Sequence, residues 1–291
     1  MSDNIMCVTT ATIRQENQDS CEVAENDVLK AVIVADGLGA YEYAELASKF
    51  VTQNIKTQIE HSSEEIDFEK MFKQAKSKLI EYAQDFEIKK GITLDKNNSF
   101  GTSLIVAIED AHRIKVAYVG NGAIWHLRGN FNHFNKTKYL PWNMLNYLNP
   151  HTVQNKVGKE ALYKLLSISE TKDTEIVPTV LQIEKDNLYY GDIVMICTDG
   201  IYSFDQVPIG KIVKDGSVWI SGEKTMSFFY QYLNEYFVKT PKPTNDSLQK
   251  AMQTYLDFLK QENILEDDAS LGIIVTAKAI EYQKKISSCQ S

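Results

Sequence analysis

The longest strongly apolar stretches of this 291-residue chain, Ala31 to Ala35 and Leu104 to Ile108, are too short to cross a bilayer, so no membrane span is expected. The four cysteines, Cys7, Cys21, Cys197 and Cys289, form no C-x-x-C pair and have no histidine at zinc spacing. Reduced thiols are expected, with Cys197 packed inside an apolar strand. An excess of basic charge is also missing: Lys+Arg 31 against Asp+Glu 39 gives a net charge of -8, which disfavours a nucleic acid as partner. No G-x-x-x-x-G-K-[ST] loop occurs, which argues against ATP-dependent transfer. The first residues, MSDNIMCVTTATIRQ, carry neither a basic, apolar leader nor a small-residue cleavage site, and a cytoplasmic location is expected. With no repeat, low-complexity tract or linker in view, residues 1–291 read as a single domain.

What the chain does contain is blocks of strands and helices. Val28 to Ala35 is β-branched and apolar and ends in Asp-Gly, as a buried strand does at a turn. Ala44, Ala47, Val51 and Ile55, then Phe68, Phe72, Ala75, Leu79, Tyr82 and Phe86, recur at helical spacing and predict two amphipathic helices joined onward by the polar stretch Gly91 to Ser99. Gly101 to Glu109, Arg113 to Val119 and Ala123 to Arg128, with turns at Asp110-Ala111-His112 and Gly120-Asn121-Gly122, predict an antiparallel meander. From about 129 to 174 the pattern weakens into a surface excursion with one helical stretch near Glu160 to Leu166. Strands return at Glu175 to Ile183 and Ile193 to Thr198, helices at Lys224 to Phe237 and Ser247 to Gln261, and a last strand at Ser270 to Thr276. Segregated blocks predict an α+β fold rather than a doubly wound parallel sheet.

Acidic residues mark the ends of these strands: Asp19 after Arg14-Gln-Glu-Asn-Gln, Asp36 before Gly37, Asp199 before Gly200, and Asp267-Asp268 before the final strand. One aspartate beside one glycine is ordinarily a turn. Two long apolar runs ending in Ala-Asp-Gly and Thr-Asp-Gly point further, because carboxylates at the edge of a buried sheet repel unless a cation joins them. An all-oxygen donor set without histidine or thiolate suits Mg²⁺ or Mn²⁺. Two such ions about 3.5–4 Å apart can acidify a shared water and clamp a phosphoryl group, which fits phosphate ester hydrolysis. Arg14, the basic residue of the first acidic motif, offers a planar donor fork for phosphate.

At these residues the chain resembles the protein phosphatase 2C family of metal-dependent serine/threonine phosphatases, in its bacterial-type form. The matching blocks, in family order, are Arg14-Gln-Glu-Asn-Gln-Asp19, Val34-Ala-Asp-Gly-Leu-Gly-Ala40 with Glu45-Leu-Ala-Ser48, Phe100-Gly-Thr-Ser103, Val119-Gly-Asn121, Gly191-Asp-Ile-Val-Met-Ile-Cys-Thr-Asp-Gly200 and Asp267-Asp-Ala-Ser270. The resemblance implies a four-layer α-β-β-α sandwich of two antiparallel sheets flanked by helices. It implies that Asp36 bridges two Mg²⁺ or Mn²⁺ ions, with the Gly37 carbonyl on one of them. Asp199 and Asp267 would complete the shell of one ion, Asp19 would support the second, and Arg14 would bind the substrate phosphate. The attacking group would be a metal-bridging water acting on a phosphorylated protein. Departures stand beside these matches. Asn121 replaces the aspartate associated with a third ion, so two ions are expected; Leu38 stands where some members place a histidine as proposed general acid; Gly39-Ala40 replaces Gly-Gly; and Asp268 replaces a common Asn.

Asn121 also motivates an alternative, a phosphatase-like binding or sensing module with weak or no catalysis. No nucleophile arrangement is evident: His61, His112, His126, His133 and His151 fall in no catalytic spacing and suit surface or loop positions, and Ser103 and Ser203 lack a paired base. Trp125, Trp142 and Trp219 are expected to pack, and the aromatic stretch Phe131 to Tyr147 to form a covered loop, with shaping of substrate access beside the metals as the alternative. Oligomeric state has no sequence signal.

Overall fold

A computed structural model describes residues 4–62, 65–129, 142–154, 160–169, 176–213, 216–221 and 223–289. Two five-stranded antiparallel sheets form its centre. The first is built from β2 (Asp19–Glu25), β3 (Lys30–Asp36), β5 (Leu104–Glu109), β6 (Arg113–Val119) and β12 (Thr179–Glu184), in the order β12-β6-β5-β3-β2. The second is built from β1 (Ile5–Ala11), β7 (Ala123–Gly129), β8 (Trp142–Asn146), β13 (Asp192–Cys197) and β16 (Ala269–Val275), in the order β1-β16-β13-β7-β8. Short pairs sit at the edges: β4 (Gly101–Thr102) with β11 (Leu166–Ser167), β9 (Thr152–Gln154) with β10 (Glu160–Leu162), and β14 (Gln206–Val213) with β15 (Gly216–Ser221).

Period-two alternation explains how the layers assemble. Met6, Val32, Val34, Ile105, Val116, Ile124, Val194, Ile196 and Ile274 face inward and form the core between the sheets. Their neighbours Ala31, Ile33, Ala35 and Val106 point the other way, onto α1 (Ala44–Glu60) and α2 (Phe68–Lys90) through Val51, Ile55, Phe72 and Leu79. On the far side Ile193, Met195, Cys197, Leu271 and Ile273 meet α3 (Glu223–Lys239), α4 (Asn245–Gln261) and α5 (Ala277–Cys289). Strands covered on both faces need apolar residues at every position, which is why β3, β5, β13 and β16 read as continuous runs. The helices are bounded by local chemistry: Asp67 accepts from the Lys70 amide to start α2, Gly91 at φ 65° ends it, and Thr244 with Ser247 forms a capping box on α4.

The α+β, four-layer expectation holds, with three local corrections. The stretch expected as a meander splits: β5 and β6 pair, but β7 crosses to the other sheet and pairs with β13. The crossing is made at Gly120-Asn121-Gly122, where φ of +100° and +122° turns the chain out of the first sheet. The helix expected near Glu160 to Leu166 is instead β10, paired Glu160 to Gln154 and Leu162 to Thr152, followed by a bend; Leu165 and Leu166 are buried. Pairing between distant segments overrides the helical spacing of Leu162, Leu165 and Leu166. Finally, His126 is buried within β7 at 7% exposure rather than in a surface or loop position, and His151, in a loop as expected, is buried at 4%. Most of the Phe131 to Tyr147 stretch, His133 and the side chains of Trp142 and Trp219 lie outside the described residues. No helix among the described residues is long and apolar enough to cross a membrane.

Candidate active site

Asp36 is the last residue of β3, and Asp19, the first of β2, is its register partner on the neighbouring strand. In the other sheet β13 and β16 are central neighbours; Asp199 follows the end of one and Asp267-Asp268 precede the start of the other. Because β3 packs against β16 across the interior, these ends meet at one edge of the sandwich. Asp19, Asp36, Asp199 and Asp267 are therefore mutual electrostatic neighbours, with charges on Asp19, Asp199 and Asp267 all acting on Asp36. Arg14, on the loop before β2, joins them: its Nη2 donates to Asp267 Oδ2 at 2.6 Å and its Nη1 to Gln18 Oε1.

The backbone around Asp36 is held tightly. Its carbonyl accepts from the Ser103 amide at 2.8 Å and from Thr102 Oγ1 at 2.9 Å, and its amide donates to Ser103 Oγ at 3.2 Å. Gly37 donates to the Gln18 carbonyl at 3.0 Å, and any Cβ there would lie 2.6 Å from the Ala44 carbonyl oxygen and 2.7 Å from that of Gln18. Only glycine fits between the two strands and α1 at this point.

Electrostatically the pocket is under strain. Burial, followed by the charges of Asp19, Asp199 and Asp267, pushes the Asp36 carboxyl well above the carboxylate range. Burial pushes Asp19 up to about 7, against the hydroxyls of Thr198 and Ser270, which favour the charged form. Asp199 is raised by burial and by the charge of Asp267, opposed by the Asn121 amide, whose Nδ2 donates to Asp199 Oδ2 at 2.8 Å. Thr198 Oγ1 donates to Asp19 Oδ2 at 2.7 Å, yet Asp19 Oδ1 is buried with no donor. A buried oxygen without a donor, amid carboxylates that repel, fits a hard divalent cation, and the donor set is all oxygen. Among the described residues no three Asp, Glu, His or Cys side chains already close around one point as a ligand cage. Asp267 accounts for part of this, since Arg14 and the Asp268 amide take its two oxygens. Grooves of about 610 and 320 Å³ lie on the α1–α2 surface and near the β5–β6 turn, away from the carboxylates.

Several residues that shape the site carry little sequence signal. Asp268 is 2% exposed: Oδ1 accepts from Thr12 Oγ1 at 2.7 Å and from the amides of Ile13 and Arg14 at 2.9 and 3.3 Å, and Oδ2 from the Gln18 amide at 2.9 Å. It anchors the loop that carries Arg14. Thr198 was visible only as the residue before Asp-Gly, and Tyr202, whose hydroxyl donates to the Gly122 carbonyl at 2.9 Å, had no signal.

Fold and pocket together define the class: a four-layer sandwich enzyme with an acidic centre where its two sheets end. The profile described as "Protein phosphatase 2C" matches residues 12–257, and the chain belongs to that family of protein serine/threonine phosphatases. Solved structures share the fold. The serine/threonine phosphatase Stp1 from Staphylococcus aureus is 17% identical, with TM-score 0.57 over 95% of each chain. The S. agalactiae serine/threonine phosphatase is 14% identical, with TM-score 0.56 over 93% of this chain and 98% of its own. The catalytic domain of the serine/threonine protein phosphatase PstP, in complex with 2 manganese ions, is 14% identical, with TM-score 0.52 over 95% and 99%. None of the curated proteins compared matches the chain.

Proposed function

We propose that the chain, acting as one domain with its excursion at about 129–174, removes phosphate from phosphoserine and phosphothreonine of proteins with the help of two Mg²⁺ or Mn²⁺ ions. The observation that carries this reading is buried Asp19, with an oxygen that has no donor, beside half-buried Asp36, the pair facing Asp199 and Asp267 from the other sheet. Asp36 would be shared by both ions, Asp199 and Asp267 would serve one, and Asp19 and the Gly37 carbonyl would support them. When bound, the ions supply electrophilic stabilisation of the phosphoryl oxygens and a water acidic enough to ionise near neutral pH.

The chain's own groups do the rest. Arg14 turns its guanidinium from Asp267 to two oxygens of the substrate phosphate, a planar bidentate fit that a lysine would not give. Asn121 holds one oxygen of Asp199. Leu38 has no proton to give, so the departing serine or threonine oxygen is not protonated from that position. The net charge of -8 keeps nucleic acids away, and the protein works on soluble phosphoproteins in the cytoplasm.

Purified protein is expected to hydrolyse a phosphothreonine peptide with Mn²⁺, to lose that activity in EDTA, and to lose it again when Asp36→Asn is introduced. A folded, Mn²⁺-loaded sample that releases no phosphate would refute the reading.

A further inference from the structure

We infer that His151 is a positioning residue: it holds the Gly120-Asn121-Gly122 turn so that Asn121 keeps its amide on Asp199, and it thereby ties the excursion into the acidic centre. The inference rests on reading that centre as a divalent-metal site.

The turn is held at its Gly122 end by the Tyr202 hydroxyl and at its Gly120 end by His151. Gly120 and Gly122 both have positive φ, and a Cβ on Gly120 would lie 2.6 Å from the Cβ of Ser103, the residue whose hydroxyl accepts from the Asp36 amide. Both backbone polar groups of Gly120 go to His151. The His151 amide donates to the Gly120 carbonyl at 2.9 Å, and the Gly120 amide donates to His151 Nδ1 at 3.2 Å. Since Nδ1 accepts, the proton sits on Nε2, which donates to Thr179 Oγ1 at 2.8 Å. Burial, with the Lys164 charge nearby, pushes the imidazole down to about 4, which keeps this neutral acceptor form at physiological pH.

The ring itself is fixed from both sides. It stacks on Tyr118 at 4.9 Å and 16°, and meets the edge of Tyr163 at 5.6 Å. The Tyr118 hydroxyl donates to the Asn149 carbonyl and accepts from its amide, each at 3.1 Å, and the Tyr163 amide donates to the His151 carbonyl at 2.9 Å. A packing histidine would need the stacking and a partner for its N–H. It would not need its Nδ1 to accept from the amide of a glycine one residue from Asn121. Displacing the imidazole leaves the Gly120 amide without that acceptor, while the backbone bond to the Gly120 carbonyl remains, and so loosens the turn that keeps Asn121 on Asp199.

Calorimetric titration of the full chain with MnCl₂ tests this as a double-mutant cycle, with thermal melts in parallel. Outer partners of metal ligands are worth about 10- to 100-fold in affinity. Asn121→Ala and His151→Ala should each weaken Mn²⁺ binding by about 10-fold or more, and the double variant should bind no worse than the weaker single, because the residues act in series. His151→Asn, whose Oδ1 falls at the Nδ1 position, should recover most of the affinity; His151→Gln, which reaches the Nε2 position, should not. Additive losses, an unaffected folded His151→Ala, or equal rescue by Gln would overturn the inference, and the Asn-versus-Gln comparison decides it if the alanine variant does not fold. A wild-type chain that binds no Mn²⁺ would overturn the metal-site reading, and this inference with it.

Discussion

Replacing Asp19 by Asn should make the metal-free protein more stable, not less. Asp19 is 3% exposed, faces Asp36 across the β2–β3 pair, and has its carboxyl pushed up to about 7 against an ordinary 3.8. Below about pH 4 the group is protonated whether the chain is folded or unfolded. As pH rises toward 7 the unfolded chain gives up the proton while the folded chain keeps it, so folding is progressively disfavoured through that window. A shift of about three units corresponds to roughly 4 kcal/mol at pH 8. Asn removes this cost: its Oδ1 still accepts from Thr198, and its amide can donate to Asp36. For a chain of this length about 4 kcal/mol is about 6 °C in Tm. Melts in EDTA should show the variant above wild type at pH 8 by up to that amount, with the difference closing toward pH 4. Mn²⁺ should reverse the order, because a ligand stabilises the folded state by an amount that grows with the logarithm of its affinity and wild type is expected to bind it more tightly. A variant less stable than wild type in EDTA at pH 8, or a difference indifferent to pH, would refute the reasoning.

Asp268→Ala should cost about 2–4 kcal/mol in urea unfolding, since the Ile13, Arg14 and Gln18 amides lose a shared charged acceptor, and should raise KM for a phosphopeptide. Burial pushes the Asp268 carboxyl up, but the Gln18 amide, the Thr12 hydroxyl and the Ile13 and Arg14 amides outweigh it and leave the group below its ordinary value. Its contribution is accordingly present above that ordinary value and lost as acid takes the pH down through the depressed one, the opposite sign to Asp19; a wild-type–minus–Asp268→Ala stability difference that grew toward pH 3 would contradict this. Asn121→Asp should raise the number of Mn²⁺ ions bound, counted by native mass spectrometry, from two to three, and lower the Tm in EDTA by placing a second charge against Asp199. Arg14→Ala should raise KM for a phosphopeptide about 10-fold or more while Mn²⁺ affinity holds or improves, because Asp267 is released; weakened Mn²⁺ binding would contradict the assigned role.

The parts of the site that could be read from sequence were those written locally. An apolar run that stops at Asp-Gly announces a carboxylate at a strand end, and this locates Asp36 and Asp199 without knowing what the strands pair with. The same continuous hydrophobicity that made β3, β5, β13 and β16 visible reflects burial on both faces. β1 and β2 are harder to read because they are less uniformly buried: Ile5–Ala11 mixes three threonine and cysteine positions with its apolar ones, and most of Asp19–Glu25 is only partly buried. The terminal helix Ala277–Cys289 and the hairpin Gln206–Ser221 were likewise not foreseen. What the one-dimensional pattern does not hold is partnership across long separations. Asp268 reaches Gln18 over 250 residues, and His151 reaches Gly120 over 31, and neither leaves a spacing to recognise. Gly120 and Gly122 look like an ordinary hairpin turn, and only the packing of two sheets reveals that they carry the chain from one to the other.

That crossing connects the architecture to the chemistry. Each sheet presents its own acidic pair, Asp19 with Asp36 from one and Asp199 with Asp267 from the other, and neither pair alone has enough oxygens for two ions. The pairs face each other only because Val32, Val34, Ile196 and Ile274 lock the sheets together behind them. A core with helices on both outer faces can hold four like-charged groups close where isolated hairpins would spread them apart. On the proposed reading the unfavourable energy stored there would be recovered on cation binding, so metal affinity and low metal-free stability would be two aspects of one arrangement. The Gly120–Gly122 turn joins the two sheets beside Asp199, as the loop from Thr12 to Gln18 joins them beside Asp19, and a change that loosens it should weaken metal binding before it unfolds either layer.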